Sequence, residues 1–142
     1  MINLPAILIA VSAAVVLLLG LLHLLYTFHG PKLSPRDPEL MARMREVSPV
    51  ITRETTMWKA WVGFNASHSF GAILFGAVYG YLSTFHAAFL FQSNFLLLLG
   101  LVMLVGYLLL AKNYFFCIPL GGILAATVLY STALSIVWLH NG

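Results

Sequence analysis

Acidic side chains are scarce in this chain: four, against seven lysines and arginines, in 142 residues. Charged residues make up 8% of the sequence. A soluble domain carries about a quarter, so a water-facing surface could not be covered. The lone cysteine, Cys117, excludes an intrachain disulfide and leaves the redox compartment open; it reads as a small buried apolar residue. P-loop and Rossmann glycine patterns are missing, as are solenoid-length repeats and low-complexity tracts. The net charge of +3 does not make a nucleic-acid-binding surface, because the basic residues gather in and beside one connecting segment.

What is present is apolar: 61% of the residues are hydrophobic. Four stretches are long enough to cross a bilayer, which takes about 20 residues. They run over 4–28, 58–83, 92–111 (with a start between Phe89 and Ser93) and 114–139. The first is too long for a signal-peptide core and lacks a basic leader, so it reads as a retained span. The predicted fold is all-α: a single domain of 1–142, an integral membrane four-helix bundle. A short interfacial amphipathic helix is expected between the first two spans.

That short helix falls in the polar connection, 31–57, which holds all four acids and five of the seven basic residues. Asp37-Pro38-Glu39 reads as a capped helix start, with proline in the first turn and an acid beside the dipole. Leu40, Met41, Met44 and Val47 then share a face, and Arg43, Arg45 and Arg53 are placed to meet anionic headgroups. Thr52 is the expected cap of the next span. Only the first and third connections carry lysine or arginine. The positive-inside rule therefore puts both in the cytoplasm and both termini outside, in a multi-pass protein of the cell inner membrane.

The second span is the least ordinary. On a helical wheel Trp61, Asn65, His68, Ser69, Ala72, Gly76, Tyr79 and Gly80 fall within about a 120° arc. Ala72, Gly76 and Gly80 form a doubled small-xxx-small pattern for close helix approach. Gly63, Ser67 and Gly71 repeat it on the other side, so the helix is expected to be sandwiched between neighbours. The first span carries Ser12, Val16, Gly20, His23 and Thr27 along one stripe. The third is the barest, with the greatest lipid exposure expected; in the fourth, Thr127, Ser131, Ser135 and Trp138 line a face.

His68 lies about 13 Å past Lys59, and His23 about 10 Å before Gly30, at the helical rise. Antiparallel spans would therefore bring the imidazoles to similar depth. Three readings compete for this constellation. In the first, His23, Thr27, Asn65, His68 and Ser69 hydrogen-bond one another and set helix register. In the second, His68, His23, Asn65, Trp61, Ser69, Thr27 and Tyr26 line an inner-leaflet pocket for a lipid or small hydrophobic ligand. In the third, the two histidines ligate haem or a metal, with His29, Met44 and Met57 as further donors. No HxxxH, CxxC or ExxH pattern supports the third. No carboxylate lies within a span, so acid–base catalysis has only Glu54 to recruit, and an enzymatic role stays open. His86 and His140 read as solvated. Membrane lipids are the expected partners, and the small-residue faces fit a homo-oligomer or a larger membrane complex.

The run Trp61-Val62-Gly63-Phe64-Asn65-Ala66-Ser67-His68-Ser69-Phe70-Gly71 follows shortly after Thr56-Met57-Trp58-Lys59. With the Gly20-to-Leu24 run and the Pro-containing polar loop, it resembles a family of uncharacterised bacterial four-helix membrane proteins. The resemblance implies a fold and a membrane location, and brings no activity, cofactor or catalytic residue.

Overall fold

The computed structural model describes residues 3–141, with the side chains of His140 and Asn141 outside the description. Among the described residues the chain is helical, without strands. The elements are α1 (Leu4–Phe28), α2 (Pro38–Glu46), α3 (Met57–Phe85), α4 (Ala87–Gln92), α5 (Asn94–Tyr114) and α6 (Cys117–Asn141). Three helices are long and apolar enough to cross a membrane: α1, α5 and the Cys117–Leu139 part of α6. At 29 residues α3 is the longest helix, yet it is not among the three. Lys59, Asn65, Ser67, His68 and Ser69 all dilute the apolar run of its first half.

The boundaries follow local chemistry. α1 ends where Gly30 takes φ +82°, a left-handed conformation that only glycine adopts without strain, and Pro31 cannot resume the helix. Asp37 caps α2 by accepting from Glu39 N at 2.9 Å. The cap before α3 is Thr56, whose Oγ1 accepts from Lys59 N at 3.3 Å; Thr52 instead accepts from Glu54 N within the preceding loop. Ser93 starts α5 by accepting from Leu96 N. The short α4 was not expected from the sequence. α5 continues past the third apolar stretch through Lys112 and Asn113, and α6 begins three residues later than the fourth.

The chain divides into two compact units, one running up to Leu19 and resuming at Ala72, the other Gly20–Gly71. The first unit holds the hydrophobic core, around Ile9, Val16, Phe75, Leu104, Tyr130 and Leu134. A methyl built on Gly76 would lie 2.7 Å from Ala13 O and 2.8 Å from Leu17 Cα, so here α1 and α3 meet backbone to backbone. Ser12 Oγ donates to Ala126 O at 2.8 Å, joining α1 to α6. Two tyrosines hold α5: Tyr79 Oη donates to Leu96 O at 2.6 Å, and Tyr130 Oη to Leu97 O at 3.1 Å. Their rings meet edge to face at 5.8 Å.

The expectation for α5 holds in part, and two for α6 are redrawn. α5 buries Leu97, Gly100, Leu104, Tyr107 and Ala111 along one stripe, and the buried share of its apolar window equals that of α1, at 28%. The buried face of α6 is Ile123, Ala126, Thr127, Tyr130, Ala133, Leu134 and Val137; of the expected face Thr127 is buried and Ser131 half-buried, whereas Ser135 and Trp138 are exposed. Cys117 is exposed at the first residue of α6 rather than buried.

Candidate functional site

Asn65, His68 and Ser69 of the second apolar stretch lie inside the Gly20–Gly71 unit. Asn65 sits one turn beyond Trp61 on α3, and its Nδ2 donates back to Trp61 O at 2.8 Å. That bond orients the amide, so Oδ1 is the atom 3.0 Å from His23 Nε2 on α1. An amide oxygen can only accept, so His23 carries its proton on Nε2 and a neutral ring keeps Nδ1 as its acceptor. His68, one turn beyond Asn65, brings its ring to 5.4 Å from that of His23, edge to face at 73°. The two imidazoles are therefore neighbours.

Other members of the expected set turn to their own helices. Ser69 Oγ donates to Asn65 O and Thr27 Oγ1 to His23 O, each four residues back along its own helix. They satisfy themselves locally, whereas the His23–Asn65 bond and the imidazole contact cross between helices. Tyr26 holds Lys32 Nζ at 3.8 Å from its ring centroid. Trp61 Nε1 reaches the loop after α1 and donates to Leu33 O at 2.9 Å. Trp58, on the preceding turn, has the Arg45 guanidinium 6.0 Å from its ring.

These tethers frame a cleft of about 100 Å3. Tyr26, Thr27, Trp61 and Asn65 line it, joined by Trp58, Phe28, Leu33, Ser34 and Val62, which the sequence did not single out for it. The signal for Trp58 was legible, since a tryptophan one turn before Trp61 shares its side of the helix. Leu33 and Ser34 come from a loop whose path no periodicity reveals. His23, His68 and Ser69 do not line the cleft; the histidines stand behind Asn65. The space is of the size of a few waters or a small polar group.

The haem reading does not fit these residues. Axial ligation needs two ring nitrogens aimed at one iron from opposite faces of a macrocycle. Here the rings touch edge to face and His23 Nε2 is directed at Asn65. Among the described residues no three His, Cys, Asp or Glu side chains gather as a metal cluster. Glu54 is exposed in the loop before α3, and His29 is exposed at the end of α1. His86 is exposed too, with Nε2 3.0 Å from Tyr81 Oη.

The small-residue faces divide. Ala72 and Gly76 are buried, and a methyl on Gly80 would sit 3.8 Å from Ala13 Cβ, an ordinary contact. On the other side Gly63 meets nothing within 4 Å and Ser67 is exposed, so within one chain α3 is not sandwiched at Gly63. Gly71 is half-buried. A second, apolar cleft of about 340 Å3 lies in the other unit, lined by Ala6, Ile7, Ala10, Val11, Ala14, Ser83 and Thr84. Its hydroxyls are occupied by Tyr79 O and Gly80 O of their own helix. Compared with known proteins, the chain matches no family model, no curated protein and no solved structure.

Proposed function

We propose that this is a small integral membrane protein with four spans, α1, α3, α5 and α6, forming a bundle in the cell inner membrane. In this reading both termini lie outside, and the cleft of the Gly20–Gly71 unit binds a small polar molecule or lipid headgroup on the cytoplasmic side. The resemblance to uncharacterised bacterial four-helix membrane proteins belongs to the same proposal. Its support in the structure is the cleft itself: two tryptophans, a tyrosine and an oriented amide around about 100 Å3. Tryptophan and tyrosine suit the membrane interface, where one side of the ring is apolar and the other wet. Lys32, held over Tyr26, puts a cation beside the cleft and favours a ligand bearing phosphate or carboxylate.

The test is native mass spectrometry of gently purified protein, with wild type compared to Trp61→Leu and Asn65→Leu. The expected result is a retained small molecule that both variants lose while staying folded. A wild type that carries nothing, with tryptophan emission unmoved by added phospholipid headgroups, defeats the reading. A second reading, a subunit that packs through small residues against copies of itself or a larger membrane complex, draws on the open face at Gly63 and Ser67. Dispersal of a purified oligomer by Gly63→Leu would favour it.

A further inference from the structure

The loop joining α2 to α3 carries an apolar tip that no described residue covers. Its stem is closed by Met57 N donating to Val47 O at 2.8 Å, so its ends are adjacent, as in a compact Ω-loop. Its far end is a turn in which Thr52 N donates to Pro49 O at 3.3 Å, with Val50 and Ile51 at the two central positions. Central turn positions ordinarily hold Gly, Asn, Asp, Ser or Pro, which supply the backbone conformation and tolerate water. Here they hold two branched aliphatic side chains, with Val50 and Ile51 at 108% and 91% of full exposure. Other exposed apolar residues of the chain lie largely on helices, where lipid can cover them; these two lie in a loop.

We propose that Val50 and Ile51 insert into the interfacial layer of the bilayer face from which α3 enters, as a wedge at the headgroup–acyl boundary. Their reach decides the occupant. Val50 is three residues from the stem at Val47, so it stands at most about 10 Å from it. The stem bonds to the first residue of α3, one residue before Trp58, an interfacial marker in a helix that enters a membrane there. The tip is thus confined to within about that distance of the headgroup layer, and amphipathic segments seat their apolar side about 5–10 Å into it. Charge leans the same way: three exposed arginines beside the tip, Arg43, Arg45 and Arg53, outnumber the two exposed acids, Glu46 and Glu54, and Glu46 pairs with Arg43 at 3.5 Å. The inference rests on α3 being a membrane span but not on the cleft holding a ligand, so either can fail alone.

The experiment uses the full chain with its exposed Cys117 replaced (Cys117→Ser), carrying Val50→Cys or, separately, Ile51→Cys, each labelled with an environment-sensitive fluorophore. The protein is reconstituted in vesicles of phosphatidylethanolamine and phosphatidylglycerol. Both labels are expected to shift their emission to the blue, to be quenched by lipids brominated near the carbonyl end of the chain, and to resist aqueous iodide. Emission at the aqueous wavelength with ready iodide quenching at both positions overturns the insertion, and would leave the tip to a soluble protein partner. Because both side chains are exposed and make no core contact, the substitutions do not threaten folding.

Discussion

The two units are stabilised in different ways. The one running up to Leu19 and onward from Ala72 is a packed core, in which the hydroxyls of Ser12, Tyr79 and Tyr130 each find a carbonyl on another helix. In the Gly20–Gly71 unit no hydrophobic residue reaches full burial. It is held by an imidazole–amide bond, an indole on a loop carbonyl, cations over aromatic rings and the stem of the α2–α3 loop. A region tied by single polar contacts opens at lower free energy than one tied by packing, and binding sites are drawn from such regions. The contrast explains why the cleft with polar, oriented groups lies in the less packed unit.

The largest expected effect that could break this comparison is at Gly76. Leucine there must push against Ala13 O and Leu17 Cα, which are backbone and cannot rotate away. Gly76→Leu is predicted to cost about 3 kcal/mol or more, read as a large drop in the unfolding midpoint in detergent. A midpoint close to wild type would mean the helices are not in backbone contact. Tyr130→Phe comes next, since it deletes only the hydroxyl donating to Leu97 O and should cost about 1 kcal/mol.

Asn65→Leu probes the other unit and should cost less, about 0.6 kcal/mol, as measured for hydrogen bonds between membrane helices. It should nevertheless abolish ligand retention, because the oriented amide is gone. Unfolding comparable to Gly76→Leu would show that Gly20–Gly71 is not the weakly held unit. The smallest effect is expected at Gly63, which has open space around it. Gly63→Ala should be neutral or stabilise by up to about 1 kcal/mol through helix propensity. A destabilisation seen only at concentrations where the protein is oligomeric would locate a subunit contact there.

Much of the helical layout was legible. Long apolar runs, Gly30-Pro31 and Asp37-Pro38-Glu39 are strong local signals, and α1 and α2 appear where those residues place them. The third stretch blurred at its start, where Ser93 could be recognised as a cap only by its bond to Leu96 N, and at its end, where Lys112 and Asn113 continue α5. The depth estimate brought His23 and His68 into register, since helical rise is nearly invariant. What spacing could not resolve was the choice each hydroxyl makes. Ser69 and Thr27 bond to their own helices, whereas Ser12, Tyr79 and Tyr130 cross to another. A serine or threonine reaches the carbonyl four residues back without help, while a buried tyrosine, whose hydroxyl stands far from its own backbone, needs an acceptor elsewhere. The tyrosine pair could have been anticipated on that ground.

The close approach at Gly76 also limits how α3 can slide. Displaced by one turn in one sense, it would bring Ala72 opposite Ala13 and Leu17, and the alanine methyl has no room there. Displaced by one turn in the other sense, it would bring Gly80, which fits as Gly76 does. The register of α3 against α1 is therefore set by where the missing side chain falls, with alanine one turn away on one side and glycine on the other.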